Sequence, residues 1–245
     1  DKDVTNINLK DLKKPFKFVD KLLLSYGIRN KQTIIAQTRE QQTLLENNYQ
    51  INDSILIPNF HPVPEVDKSS RQVKQVLWVA NLKAVKQPEL FLRLAAHYKD
   101  NPNVRFVMAG SLNDDYKGLI ADTKSENNNF EYKGSISQEE VNSLIQTSDL
   151  FVNTSSSEGF PNTFIQAWLR GTPVMSVTVD PSQLIKNEKI GVIANNLQGM
   201  IATINELITE PLKFEEMGNR AIIYATKNHS LKNIERIKQL MGLSG

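Results

Sequence analysis

The sequence contains no cysteine among its 245 residues, and this absence excludes several classes of protein. A disulfide scaffold, a zinc site with thiolate ligands, an iron–sulfur cluster and a cysteine nucleophile all need the missing side chain. The three histidines, His61, His97 and His229, are too scattered for metal-ligand spacing. Asp1 and Asp3 have the D-x-D spacing of a metal site but follow no strand pattern. We therefore predict that the protein binds no metal ion.

The sequence also lacks a large excess of charge of either sign, because it has 29 Lys and Arg and 27 Asp and Glu. This balance predicts no nucleic-acid partner. No apolar run approaches the roughly 18–20 residues of a membrane span, and no secretory signal pattern opens the chain. Segment 10–18 is basic and partly aromatic. It is interpreted either as a peripheral contact with an anionic membrane or as a solvated surface.

Several catalytic and nucleotide motifs are absent. The sequence contains no G-x-G-x-x-G and no G-x-x-x-x-G-K-[ST], which argues against dinucleotide cofactors and against hydrolysis of nucleoside triphosphates. It contains no G-x-S-x-G, so the serines at 155–157 are interpreted as a loop and not as a nucleophile.

The patterns that are present alternate between strand and helix, which predicts an α/β fold with a doubly wound parallel sheet. The strands are apolar runs without alternation, as in sheets that are buried on both faces. Helices are predicted between them, one of them opening with a Ser137–Glu140 capping box. The predicted strands are 33–37, 54–57, 75–80, 104–109, 130–133, 150–153 and 173–177, and the main predicted helices are 87–98, 138–146, 197–208, 212–226 and 231–241.

Composition divides the chain. Segment 58–71 holds three prolines and no periodicity, and we interpret it as a linker. Residues 1–57 carry only two predicted strands and form a partial N-terminal lobe. Residues 72–226 carry enough strand–helix units for a complete domain, and 227–245 form a closing C-terminal helix. The first methionine is Met108, so we expect the chain to be a piece of a longer protein.

The segment most indicative of chemistry is 148–180, where a strand leads through a small polar loop into a helix that is predicted to begin with Pro161. Such a loop lies at the carboxyl end of a parallel strand, where ligands bind. The first turn of the helix favours a phosphate or diphosphate. Gln166 lies about 7.5 Å further along the axis, which suits a ribose. An ordinary strand–loop–helix unit is the equally open alternative.

The string EGFPNTFIQAWLRGTPV in this segment resembles the signature of family-four retaining glycosyltransferases, which have the GT-B fold. That pattern is E-G-F-x-x-x-x-x-E-A-x-x-x-G-x-P-V, and its variant here is similar to the branch that builds bacterial surface polysaccharides. Gln166 replaces the second glutamate of the pattern. The matching residues are Glu158, Gly159, Phe160, Ala167, Gly171, Pro173 and Val174.

A second motif resembles the family's G-R-L-x-x-x-K-G, which here reads ANLKAVKQ at 80–87. The lysine is kept as Lys86, but Asn81 stands at the arginine position. In the family this cation pair neutralises the donor diphosphate, so loss of the arginine should weaken stabilisation of the leaving group unless Lys83 or a group outside this chain substitutes. Two weaker similarities place Gly110 at a strand-ending turn and Ser135 in the loop that approaches the nucleotide base.

The resemblance implies a Rossmann-like C-terminal domain that transfers a sugar from a nucleoside-diphosphate sugar without a cofactor or metal. Lys86 would bind the diphosphate with the backbone N–H groups of Asn162 and Thr163. Glu158 would bind the transferred sugar and Gln166 the ribose. Gly159 and Phe160 would belong to the donor site with Asn81, Gly110 and Ser135.

The resemblance also implies a glycan or lipid-linked acceptor, polysaccharide biosynthesis and a cytoplasmic location, with the inner membrane face as a further expectation. Because most of an acceptor domain would be missing, we expect this chain alone to be inactive. A non-catalytic nucleotide-binding module is the main alternative, favoured by Asn81 and Gln166. A sugar-nucleotide epimerase is a third, without supporting residues.

Overall fold

The computed structural model describes residues 26–27, 33–66 and 72–243. The predicted D-x-D sequence at 1–3 and the basic segment 10–18 lie outside the described residues. Within them, no helix combines the length and apolarity that crossing a bilayer requires.

The chain divides into two compact units, one of residues 1–60 with 231–245 and the other of residues 61–230. The assignment of the segments to a partial acceptor domain, a linker, a nucleotide-sugar domain and a closing helix stays a prediction.

The larger unit is built on six parallel strands in the order β5-β4-β3-β6-β7-β8. The order runs outward in both directions from the central pair β3 and β6, which is the doubly wound arrangement. The predicted fold class is therefore confirmed. The strands are β3 (Lys74–Val79), β4 (Val104–Ala109), β5 (Phe130–Tyr132), β6 (Leu150–Asn153), β7 (Val174–Ser176) and β8 (Gly191–Ile193).

Helices follow the strands and cover both faces of the sheet. Pro88 opens α2, and the predicted capping box opens α4, where Ser137 Oγ accepts from Glu140 N and Glu140 Oε2 accepts from Ser137 N. The helix predicted to begin at Pro161 begins one residue later, with Pro161 at the capping position. The helices of this unit are α2 (Pro88–His97), α3 (Lys117–Glu126), α4 (Gln138–Gln146), α5 (Asn162–Leu169), α6 (Leu184–Asn187), α7 (Leu197–Thr209) and α8 (Pro211–Asn228).

Two apolar cores lie on the two faces of the sheet because successive side chains of a strand point to opposite sides. Val76 and Trp78 of β3 pack on one face with Phe91 of α2. Leu77 of the same strand packs on the other face with Trp168 of α5. All five of these side chains are at most 2% exposed, which agrees with the continuous apolar runs in the sequence.

The smaller unit contains a two-stranded parallel sheet of β1 (Ile35–Ala36) and β2 (Ile55–Leu56), joined by α1 (Arg39–Tyr49). Its small apolar core includes Ala36, Leu45 and Tyr49. The C-terminal helix α9 (Lys232–Leu240) belongs to the same unit. Asn233 Nδ2 at its start donates to the Pro58 carbonyl over 3.1 Å.

A close approach between two strand ends requires glycine at position 110. Gly110 has φ +145°, and a Cβ placed there would lie 1.7 Å from the Ala80 carbonyl oxygen. Its N–H donates to the Gly134 carbonyl over 2.8 Å. The absent side chain thus lets the segments after β3, β4 and β5 meet at one end of the sheet.

Gly110→Ala should destabilise the protein by at least about 2 kcal/mol, because it adds both backbone strain and overlap with a carbonyl group. Gly118→Ala is the control, since outside its chain neighbours and the backbone of its own helix no described atom lies within 4 Å of the added Cβ on α3, and alanine favours the helix. Urea unfolding of both variants measures the difference. Equal midpoints for the two variants would contradict the steric argument.

Candidate functional site

A cavity of about 420 Å³ lies at the carboxyl ends of the central strands. Its volume falls in the range of small-molecule sites. The sheet order reverses between β3 and β6, and ligands of such sheets bind outside the carboxyl ends at this reversal. The lining includes seven predicted site residues, Asn81, Lys86, Gly110, Ser135, Glu158, Asn162 and Thr163, together with Ala80, Lys83, Ser111, Ile136, Asn153 and Pro161.

The position of Lys86 is set by bonds between two loops. Lys86 ends the short 3₁₀ turn Ala84–Lys86 after β3. Thr154, just after β6, donates from its hydroxyl to the Lys86 carbonyl over 2.6 Å. Ser156 N donates to the Val85 carbonyl over 2.9 Å. The loop after β6 therefore holds the lysine beside its own residues, although the two segments are far apart in sequence.

Glu158 meets Lys86 within the cavity. The Lys86 Nζ lies 2.8 Å from Glu158 Oε2, and the two side chains are 25% and 15% exposed. The other carboxylate oxygen, Oε1, accepts from Asn153 Nδ2 at 2.7 Å and from Ser155 Oγ at 2.5 Å. The carboxylate is thus paired on one oxygen and hydrogen-bonded on the other.

The pKa of Glu158 lies below its ordinary value. Burial pushes this pKa upward, but the hydrogen bonds from Lys86, Ser155 and Asn153 and the charge of Lys86 outweigh the burial. Glu158 is therefore a fixed anion at neutral pH, able to accept a hydrogen bond and unsuited to donating a proton.

Neutral groups occupy the cavity next to this ion pair. Asn81 Oδ1 accepts from Ser111 Oγ over 2.8 Å, so the residue at the family's arginine position joins the loop after β3 to the loop after β4.

Lys83 is the second lysine of the lining. Among the described residues it makes no ion pair within 4.0 Å.

The first turn of α5 completes the lining. Asn162 and Thr163 open this helix, and amide N–H groups in a first turn have no acceptor inside the helix. The Asn162 side chain is hydrogen-bonded to His61. Burial, and next the charge of Arg170, lower the pKa of His61, whereas the bond to Asn162 raises it. A neutral His61 thus supports the start of the helix.

Three predicted donor residues lie outside the cavity lining. Phe160 packs on Trp168 and His229: the centroid of its ring lies 6.2 Å from that of Trp168 and 5.2 Å from that of His229. Gln166 is 7% exposed within α5. Gly159, beside Glu158 in the loop, is exposed. Their roles in binding a donor stay predictions.

The sequence interpretation missed Asn153 and Ser155, which bind Glu158. A usable signal was available, since Asn153 is a polar residue at the end of an otherwise apolar strand. As for metal ions, the described part of the chain contains no group of three or more His, Cys, Asp or Glu side chains arranged to hold one.

Residues 63–228 match the family described as glycosyl transferases group 1. Because this match spans more than half of the sequence, the chain belongs to that family. An uncharacterized glycosyltransferase of Haemophilus influenzae is 24% identical over 218 residues, which represent 85% of this chain and 60% of that protein. The chain thus spans less than two thirds of that relative's length.

Solved structures share the fold. S. aureus TarM, as a variant in complex with Fondaparinux, alpha-GlcNAc-glycerol and UDP, has a TM-score of 0.75 at 21% identity, over 92% of this chain and 46% of TarM. Anabaena HepE in complex with UDP-glucose has a TM-score of 0.76 at 17% identity, over 93% of this chain and 67% of HepE.

The Glu158 contacts should make stability depend on pH. Because folding lowers the pKa of Glu158, its charged form stabilises the protein above the unfolded-state pKa, and this stabilisation is lost as pH falls through the lower folded-state pKa. Glu158→Gln should therefore cost about 1–3 kcal/mol at neutral pH, and the cost should shrink in acid. Urea unfolding from pH 7 down to pH 3 measures it.

Glu235→Gln is the control, because the Lys238–Glu235 pair is solvent-exposed, with side chains 49% and 65% exposed. Such pairs contribute less than about 1 kcal/mol. A pH-independent cost for Glu158→Gln would refute the role of its charge.

Proposed function

We propose that the chain is the donor-binding part of a retaining glycosyltransferase that uses a nucleoside-diphosphate sugar. The observation that carries this proposal is the Lys86–Glu158 ion pair, in one cavity with the first turn of α5. A cation and helix N–H groups suit a diphosphate, whereas a fixed carboxylate suits sugar hydroxyls. Membership of the group 1 family supports the reaction type.

The donor base is proposed to be uracil. The structures of TarM and HepE with UDP or UDP-glucose support this choice. The diphosphate would lie against Lys86 and the first turn of α5, and the sugar would extend towards Glu158. Gln166, a buried amide in the same helix, is proposed to hold the ribose as a neutral hydrogen-bonding group.

Transfer requires breakage of the bond between the anomeric carbon and a diphosphate oxygen, and negative charge then grows on the diphosphate. Lys86 and the α5 amides would stabilise that charge. The acceptor hydroxyl would be positioned beside the anomeric carbon. Its oxygen would bond to that carbon as the diphosphate leaves, and its proton would pass to the leaving diphosphate oxygen, with retention of configuration. The acceptor is proposed to be a glycan or lipid-linked saccharide, in polysaccharide biosynthesis at the cytoplasmic side of the membrane.

A non-catalytic nucleotide-binding module is the second candidate. It is favoured by the neutral Asn81–Ser111 contact, which stands where the family carries an arginine. A module and an enzyme both bind UDP, but only the enzyme releases UDP from a UDP-sugar when an acceptor is present. A panel of UDP-sugars and saccharide acceptors with the full-length protein separates the two.

The ion pair predicts that substitution of its two members changes the affinity for UDP in opposite directions. Lys86→Ala should weaken binding of UDP about tenfold to a hundredfold, because a charged hydrogen bond is worth about 1.5–3 kcal/mol. Glu158→Gln should strengthen binding of UDP several-fold, since Lys86 no longer has to leave a carboxylate. The same variant should lose most transfer activity in the full-length protein. Isothermal titration calorimetry with UDP measures both affinities.

Lys83→Ala is the matched control, since it removes the lysine of the same cavity that makes no ion pair with any described carboxylate. Its loss of affinity should be smaller than that of Lys86→Ala. Weaker binding of UDP to Glu158→Gln would contradict the competition between carboxylate and diphosphate. Failure of the wild-type chain to bind UDP would contradict the proposed donor.

A metal ion is not needed in the proposed mechanism, because Lys86 and the helix amides would take the place of a diphosphate-bound cation. EDTA should leave both UDP affinity and full-length transfer activity within about twofold of their untreated values. Titration calorimetry and an activity assay with and without EDTA measure this. A large loss that manganese restores would show that a cation is required.

A further inference from the structure

We propose that Asn153 is the positioning residue of this site: together with Ser155 it holds one oxygen of Glu158, so that the other faces the donor. The proposal deepens the proposed function, on which its role in sugar binding rests. The contact itself is a property of the chain and can be tested without any substrate.

Asn153 occupies a buried strand position at which the apolar pattern of the strand predicts an apolar residue. It follows Leu150, Phe151 and Val152 on β6 and is only 7% exposed. A buried amide destabilises a protein unless its hydrogen-bonding groups are satisfied. The departure of Asn153 from the apolar pattern of its strand is therefore expected at a functional position.

The amide of Asn153 has a fixed orientation. Its Oδ1 accepts from the Ser155 N–H over 3.2 Å and lies 3.5 Å from the Ser176 hydroxyl. With the oxygen directed at these donors, the Nδ2 group lies 2.7 Å from Glu158 Oε1. Ser155 turns its hydroxyl to the same carboxylate oxygen at 2.5 Å.

This arrangement gives the two oxygens of Glu158 different tasks. Oε1 is anchored by two donors of the protein, whereas Oε2 pairs with Lys86 in the cavity. When Lys86 turns to a diphosphate, the anchored carboxylate stays in place instead of following the lysine. Oε2 is then available to a hydroxyl of the transferred sugar. A carboxylate displaced by about 1 Å would lose much of this contact.

The experiment compares Asn153→Ala and Ser155→Ala with the matched control Ser148→Ala. Ser148 is a buried residue just before β6, at the end of the strand away from the cavity, and its hydroxyl donates to the Leu144 carbonyl over 2.6 Å. Carbon-13 NMR of labelled glutamate carboxyl groups follows the titration of Glu158, whose signal is assigned by its loss in Glu158→Gln. The affinities of each folded variant for UDP and UDP-glucose are measured in parallel.

Both Glu158-facing variants should move the titration midpoint of Glu158 upward, because each removes a hydrogen bond to the charged form. Ser148→Ala should leave the midpoint unchanged. The affinity for UDP-glucose relative to UDP should fall about tenfold in Asn153→Ala and remain constant in the control. If Asn153→Ala does not fold, Ser155→Ala carries the same test.

An unchanged Glu158 midpoint in the folded variants would overturn the proposal, as would an equal shift in Ser148→Ala. A wild-type chain that binds neither UDP nor UDP-glucose refutes the proposed function instead. The titration still decides in that case whether Asn153 and Ser155 hold the carboxylate.

Discussion

The parallel pairing of β3 with β6 is the constraint on which the rest of the molecule depends. These strands are adjacent in the sheet although two other strands lie between them in the chain. Their carboxyl ends open side by side, and the chain leaves them in opposite directions across the sheet. The loop after β3 supplies Lys86 and the loop after β6 supplies Glu158, so the ion pair results directly from this strand order.

Most of the larger unit could be predicted from sequence because its strands are buried on both faces and therefore read as apolar runs. Strand β4 and helix α4 match their predicted bounds. Strand β8 was missed since it is short, partly exposed and at the sheet edge. The pair Asp114–Asp115 predicts a helix start near α3, but no bounds were predicted for this helix because it buries only Ile120 and Thr123 and shows little amphipathic pattern.

The candidate site could be predicted in part. The motif register located Glu158 and Lys86, which lie in one cavity, but a register carries no information about side-chain direction. Phe160 thus matched the pattern and yet packs on Trp168. The contacts of Asn153 with Glu158 and of Thr154 with Lys86 arise only when the loops meet in three dimensions. No local pattern encodes such distances.

The smaller unit is built from two separate segments of the chain, and this has a consequence for its synthesis. Residues 61–230 form a continuous stretch, whereas the other unit combines residues 1–60 with 231–245. Domains generally fold as units during synthesis, the N-terminal part first. The sheet-bearing unit has all its residues before α9 is made, whereas residues 33–60 precede that unit and have to wait for α9, which belongs to their own unit, to leave the ribosome. Chaperone contact with residues 33–60 should accordingly outlast contact with the nascent sheet.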